Sequence, residues 1–427
     1  MKLLRLLLLL CALHSAVAAE RPNILFLFTD DQRWDTIRAL GNGEIETPNF
    51  DRLVAQGFWF RNPYCQGSMI GAVCLPSRTM LVTGRSLWRI PANPRAKEAP
   101  ADVPLLPALL SDAGYTTFHC GKAGNACTFG NAAFQTNLSM KERTATSATE
   151  VADHAIDFLS KHDAAKPFFM YLAPPVPHDP RLAPAEFVKK YDPAKIALPK
   201  QFQAQHPFDP GVLDIRDEKL AAYPRSEAEM RRHLADYYAT ISHLDAEFGR
   251  ILATLRERGL EKNTVVIFSS DQGLACGGYH GLMGKQNLYE DVKPPLLLAG
   301  PGIPHGRSPA LVYLYDLFPT ICELAGVKAP DVIEGRSLVP VAQGKVPRVR
   351  ESLLGAYAKV QRMVRDERWK LLQFHVGAER HSLLFDLQSD PEELRNLADD
   401  PQSAEVRARL EAELGKLRKD FSDPVDF

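Results

Sequence analysis

Two tight pairs of oxygen-bearing side chains carry the first chemical signal. Asp30 and Asp31 close the run "NILFLFTDDQ", and Asp271 and Gln272 close "NTVVIFSSDQG". Carboxylates and a carboxamide are hard donors that suit Ca²⁺ or Mg²⁺, and no His/Cys cluster of zinc spacing accompanies them. A second signal is cationic. Cys74 heads "CLPSRTMLVTGR", where Pro76 marks the first turn of a helix and Arg78 lies four residues on, on the same helical face. An arginine fork beside the free N–H groups of a helix N-terminus holds an anion well. Lys122 ends "YTTFHCGK", Lys285 stands in "GLMGKQNLYE", and His178 follows in "PPVPHDP". A hard cation, an arginine and two lysines together suit a tetrahedral oxyanion. Cys74 by itself stays open to three readings: a buried thiol, a low-pKa thiolate nucleophile, or the precursor of another group.

Most of these residues fall at the ends of apolar runs, and in open α/β sheets ligands sit outside the carboxyl ends of the strands. "NILFLF" reads as a buried parallel strand, and "TPNFDRLVAQG" as a helix with a polar start and a Gly stop. The helix-then-strand pattern recurs in "LLPALLSDAG" with "YTTFHCGK" and in "EVADHAIDFLSKH" with "PFFMYLAPP". It recurs again where the long run from Glu227 meets "NTVVIFSSDQG". The expected fold class is therefore α/β, with a large, mostly parallel sheet sandwiched by helices. After about Val346, "RMVRDERWKLLQF" and "SLLFDLQSDPEELRNLADDP" read as short antiparallel strands, closed by a helix in "SAEVRARLEAELGKLRKDF". The expected division is a leader at 1–19, a catalytic α/β domain at 20–345 and a small C-terminal α+β subdomain at 346–427. The Pro-rich, irregular stretch from His178 to Lys219 is long enough to suggest a functional loop.

With 427 residues, 45% hydrophobic and 24% charged, and a net charge of −1, the chain is globular and lacks the basic excess of a nucleic-acid binder. "MKLLR", an apolar run and "SAVAA" read as a signal peptide, so an exported protein, periplasmic or secreted, is expected. The run is too short for a stable membrane span. Export permits disulfides among Cys65, Cys74, Cys120, Cys127, Cys276 and Cys322. If Cys74 is consumed chemically, at most two bridges remain.

"CLPSR" matches the Cys-x-Pro-Ser-Arg signature of type I sulfatases, and "TGR" follows at that family's usual distance. "NILFLFTDDQ", "TPNFDRL", "GYTTFHCGK", "APPVPH", "VVIFSSDQG", "GLMGKQNLYE" and "LFDLQSDPEELRNLA" extend the likeness in order from about Arg21 to Asp400. The chain thus resembles the formylglycine-dependent sulfatases of the alkaline phosphatase superfamily, in the style of exported bacterial polysaccharide and aryl sulfatases. The resemblance implies that a maturation enzyme oxidises Cys74 to formylglycine, whose hydrate has two hydroxyls. One attacks sulfur in line; the other later expels the sulfate, which a serine could not do. It also implies Ca²⁺ on Asp30, Asp31, Asp271, Gln272 and residue 74. Arg78 would stabilise the diol, Lys122 and Lys285 would bind sulfate oxygens, and His178 would protonate the leaving alkoxide.

The family pattern after the lysine is Gly-Lys-Trp-His. Here the chain reads "GKAGNAC", and Asn125 takes the place of a histidine that would serve as base. Asparagine can hydrogen-bond the diol but takes no proton, and His119 falls inside the expected strand. Gln272 stands where Asn or His is common. Candidate substrate contacts are Arg33, Trp34, His206, Arg232, His280 and Arg362, since Trp offers a sugar face and Arg suits anionic groups. The expected substrate is a sulfated saccharide. The alternatives are a phosphodiesterase or phosphonate monoester hydrolase on the same scaffold, and an inactive sulfated-glycan binder.

Overall fold

The computed structural model describes residues 21–140 and 142–427; the leader expected at 1–19 lies outside the described residues. In chain order the strands are β1 (Asn23–Thr29), β2 (Phe58–Tyr64), β3 (Gly67–Ser68), β4 (Thr116–Lys122), β5 (Thr136–Met140), β6 (Phe168–Ala173) and β7 (Thr264–Ser270). They continue as β8 (Leu296–Ala299), β9 (Gly306–Tyr313), β10 (Leu353–Tyr357), β11 (Gln361–Arg365), β12 (Trp369–Val376) and β13 (Glu379–Asp386).

β1 is buried along its whole length. Ile24, Phe26 and Phe28 enter one apolar cluster while Leu25 and Leu27 enter another. The period-two alternation thus feeds two cores, and a strand covered on both faces belongs inside a sheet with helices on either side. The eight-stranded sheet runs β5-β4-β6-β1-β7-β8-β2-β9. All neighbours pair in parallel except at β8, which is antiparallel to both β7 and β2. Helices Ser147–Lys161 and Glu227–Glu257 cover one face, contributing Val151, Ala155, Leu244 and Phe248. Leu81 of the helix Cys74–Thr83 and Leu317, Phe318 and Ile321 of the helix Leu317–Leu324 cover the other. The mostly parallel, helix-sandwiched sheet is the expected one. Among the described residues no helix is long and apolar enough to cross a membrane.

A second sheet, β13-β12-β11-β10-β3, occupies the C-terminal region. β10 to β13 form an antiparallel meander. The helix Ala404–Asp420 buries Leu410 and Leu414 on it, against Leu354, Val364, Leu371 and Leu384. The fifth strand comes from far up the chain: Gly67 and Ser68 pair in parallel with Ala356 and Tyr357. Gly67 has φ +107°, and a Cβ there would lie 1.9 Å from the Ala356 carbonyl oxygen, so only glycine fits. The segment leading into Cys74 is thereby fastened to the C-terminal sheet. Only the first part of the expected strand "SLLFDLQSDPEELRNLADDP" is extended, ending at Asp386; the remainder turns.

All six described cysteines are free thiols, so the bridges that export would permit do not form. Cys120 and Cys276 lie in one core, Cys322 in the core across the sheet with Cys65 packed against it, and Cys127 in a small separate cluster.

Candidate active site

β4, β6, β1 and β7 are adjacent and parallel, so their carboxyl ends open on one place. There Asp30, Asp31, Cys74 and Asp271 present ligand atoms that all lie within 4.8 Å of one another, every residue buried. Asp31 takes φ +68° immediately after β1, a left-handed turn that aspartate tolerates better than most residues. Its N–H is held by Asp271 Oδ1 at 3.0 Å. Its carbonyl accepts the Tyr237 hydroxyl at 2.6 Å.

Buried carboxylates need compensation, and each has it. Lys122 Nζ lies 2.6 Å from Asp30 Oδ1, and Lys285 Nζ 2.7 Å from Asp31 Oδ2. Arg78 donates through Nε to Asp271 Oδ2 at 3.0 Å and through Nη2 to the Thr29 carbonyl at 3.0 Å. Burial alone would raise Asp30, but Lys122, His178 and Arg78 outweigh it and hold its carboxyl well below the usual range. Asp271 is poorer in cations: burial pushes it up to about 7 against the pull of Arg78. Gln272 Nε2 donates to Asp31 Oδ1 at 2.6 Å and lies 3.2 Å from Cys74 Sγ, while its Oε1 is buried without a partner. An idle acceptor oxygen beside three carboxylates fits a hard divalent cation, whose charge would satisfy all four groups.

Cys74 opens the buried helix Cys74–Thr83. Its neighbours in "CLPSR" serve the site directly: Ser77 Oγ donates to the Asp271 carbonyl at 2.7 Å, and Arg78 holds the same residue's carboxylate. Burial and then Asp271 push the Cys74 thiol well above its ordinary range. Arg78 spends its charge on Asp271, so it gives Cys74 little support as a low-pKa thiolate. Lys122 reaches the cluster because Gly121, with φ +149°, lets β4 pass close to β6, where a Cβ would meet the Ala173 carbonyl oxygen at 2.0 Å.

His178 lies beyond β6 with Nδ1 2.7 Å from its neighbour's carbonyl oxygen at Asp179 and Nε2 3.7 Å from Asp31 Oδ2. The Nδ1 contact leaves Nε2 facing the cluster. Burial, then Lys285, lower its pKa. The irregular stretch after it acts as a brace. Arg216 grips Asp179 through both terminal nitrogens. Glu218, paired with buried Arg225, accepts the N–H groups of Met283 and Gly284, and Asp217 accepts Gln286 Nε2 at 2.9 Å. Lys285 stands between these last contacts, so the loop fixes both His178 and Lys285.

Other residues lie elsewhere. Arg33, fully buried, pairs with Asp35 and donates to the Leu274 and Cys276 carbonyls. Arg362, also fully buried, is tied to Asp423. His206 bridges the Phe208 carbonyl and the Tyr289 hydroxyl, and burial takes it down to about 4. His280 stacks on Tyr289 at 4.0 Å. These four are packing and bracing residues, a correction to the expectation that they face substrate: each is buried within the protein. Arg232 is exposed on the long helix, near Asp236. Trp34 is half-buried with the Lys293 ammonium 4.9 Å from its ring centre. Asn125 is exposed, with φ +52°, and its Oδ1 accepts Arg95 Nη2 at 2.8 Å. It makes no hydrogen bond to the cluster, so it does not fill a base's place there. His119 is buried on β4 against Asn137, Phe134 and Tyr171.

Several contributors went unnoticed in the sequence. Arg143 reaches Asp30 Oδ2 at 3.3 Å; it follows the unpatterned edge strand β5 and carries no local signal. Ser77, Tyr237, Arg216 and Asp217 act through contacts that only the folded chain creates.

A sulfatase family profile matches residues 22–327. The chain belongs to the sulfatase family. A second profile, the C-terminal region of N-sulphoglucosamine sulphohydrolase, matches residues 278–420. This sulfatase is 28% identical over 446 residues to a sulfatase of Formosa agariphila, covering 92% of this chain and 85% of that one. It is 25% identical over 502 residues to the N-acetylglucosamine-6-O-sulfatase of Bacteroides thetaiotaomicron, covering 97% and 89%. Among solved structures, one in complex with its substrate D-glucosamine-2-N,6-O-disulfate superposes with a TM-score of 0.80 at 23% identity, covering 95% of this chain and 99% of that one. The phosphonate monoester hydrolase of Agrobacterium radiobacter gives 0.78 at 22% identity, covering 94% and 96%. The family assignment makes the chain a sulfuric ester hydrolase, and both structures share its fold.

Proposed function

We propose that this sulfatase removes sulfate from a sulfated saccharide outside the cytoplasm, using a formylglycine made from Cys74 by a maturation enzyme and a bound Ca²⁺. The observation that carries this is the placement of Cys74 at a helix start among Asp30, Asp31 and Asp271. A cysteine at that place, followed by Leu-Pro-Ser-Arg, fits conversion to formylglycine.

Asp30, Asp31, Asp271, the Gln272 carboxamide and residue 74 would hold the cation. When bound, the ion supplies Lewis acidity and favours the ionised form of a hydroxyl; the hydrated formylglycine supplies that hydroxyl and a second one that lets sulfate depart. The chain's own cations do the rest. Lys122 and Lys285 give the sulfate oxygens two ammonium partners, and Arg78 fixes Asp271. His178 keeps Nδ1 on the Asp179 carbonyl and so presents Nε2 to the leaving oxygen as the ester bond breaks. Proton delivery matters most for a poor leaving group such as a sugar alkoxide and least for a phenolate. The resemblance to a saccharide 6-O-sulfatase over nearly the whole chain favours a sugar substrate.

The test is a screen of sulfated saccharides, 4-nitrophenyl sulfate and a 4-nitrophenyl phosphodiester, with and without chelator. Sulfate release from a saccharide that stops on chelation supports the reading. A faster phosphodiester rate, or activity indifferent to chelation, overturns it.

A further inference from the structure

Where the two sheets meet, a cleft of about 440 Å³ opens between the β2 and β9 edge of the large sheet and the β11–β12 turn of the small one. Trp34, Arg61, Glu290, Lys293, Arg365 and Arg368 are among the residues lining it. Cations outnumber carboxylates along it, Arg61, Lys293, Arg365 and Arg368 against Glu290 and Glu367. The Glu290 carboxylate alone serves three buried cations, Lys293 at 2.6 Å, Lys370 at 3.1 Å and Arg365 at 3.2 Å, besides the Tyr64 hydroxyl. Glu393 shares Lys370 at 2.9 Å but makes no ion pair with Arg365. Arg368 is satisfied by Asp386 through Nε at 2.8 Å and Nη2 at 2.7 Å. That leaves two cations under-partnered. Arg365 is 4% exposed and its Nε has no hydrogen-bond partner. Arg61 is exposed at the rim and forms no ion pair among the described residues. Burial without full compensation brings the Arg365 guanidinium down to about 9.

A buried guanidinium N–H without an acceptor costs stability unless something fills the gap. An acceptor is what this N–H lacks, and the surplus of cations favours an anionic one; the cleft is wider than one small anion needs, falling in the size range of small-molecule pockets. Trp34 offers it an aromatic wall. We infer that this cleft is a second, non-catalytic site that takes a sulfate or carboxylate group on a saccharide chain, with Arg61 and Arg365 on the anion and a sugar ring against Trp34. Trp34 lies three residues beyond Asp31, and its N–H is held by the Lys293 carbonyl at 3.0 Å. One short segment therefore borders both the catalytic cluster and the cleft, which suits successive units of one anionic glycan. The inference rests on the saccharide-sulfatase reading for its ligand and on the cleft's own charges for its existence.

The test measures the Kd of a heparin-derived hexasaccharide for the Cys74→Ala protein and for the same protein carrying Arg61→Ala or Arg365→Lys, with thermal melting as the check on folding. Arg61 is exposed, so its variant should fold even if that at Arg365 does not. Each substitution is expected to raise Kd about fivefold or more, while kcat/KM for 4-nitrophenyl sulfate in the Cys74 protein stays unchanged. An unchanged Kd in the folded variants overturns the site. Inorganic sulfate binding as tightly as the hexasaccharide, with the same dependence on Arg61, overturns the saccharide as its ligand. Failure to release sulfate from any saccharide would remove the proposed function yet leave this Kd comparison readable.

Discussion

Replacing Arg78 with lysine keeps the charge and removes the fork. Arg78 uses three nitrogens: Nε on Asp271 Oδ2 at 3.0 Å, Nη2 on the Thr29 carbonyl at 3.0 Å and Nη1 on the Tyr171 hydroxyl at 3.4 Å. A single ammonium on a shorter reach can keep one of the first two. Charged hydrogen bonds contribute about 1.5–3 kcal/mol each, so the loss, partly offset by the retained charge, should be about 2–4 kcal/mol of stability. Asp271 would also lose the partner that aims it at the cation. Removing such a support typically lowers metal affinity or activity about 10–100-fold. Urea denaturation in chelator reads the first quantity, and the Ca²⁺ concentration for half-maximal sulfate release reads the second. A variant with wild-type stability and wild-type Ca²⁺ dependence would refute the role given to Arg78.

Other expectations follow from the same geometry. Asp179 is held to about 2, below its ordinary 3.8, because Arg216 and His178 overcome its burial. Its contribution is full above about pH 4 and lost as pH falls toward 2. Arg216→Ala should therefore cost about 1–2 kcal/mol at pH 7, and the gap in melting behaviour should close toward pH 2. His178→Asn should slow release from a sugar sulfate about 10²–10⁴-fold while affecting 4-nitrophenyl sulfate much less; equal losses on both would argue against proton delivery by Nε2. Asn125→His should change neither stability nor kcat/KM by more than about 0.5 kcal/mol, because Asn125 is exposed and tied to Arg95. A new ionisation in the pH–rate profile would place it in the site after all.

The central strands and the groups at their ends were legible because buried parallel strands read as continuous apolar runs that stop at polar residues. β1 with Asp30 and Asp31, and β7 with Asp271 and Gln272, are of this kind. The strands away from the centre were not legible. β5 is exposed apart from Met140, β2 contains Pro63 and a bulge between Phe60 and Asn62, and β8 has only four residues, so none shows a strand's period. Side-chain type alone cannot separate a sugar-binding arginine from one such as Arg362, whose donors go to the protein's own carbonyls and carboxylate.

The most direct test is peptide mass spectrometry of residue 74 in protein produced with a formylglycine-generating enzyme, paired with sulfate release by that protein and by Cys74→Ala. The account predicts conversion of Cys74 to an aldehyde that hydrazides capture, turnover in proportion to the converted fraction, and none from Cys74→Ala despite an intact fold. Unconverted Cys74 in a fully active enzyme, or turnover retained by Cys74→Ala, would contradict it.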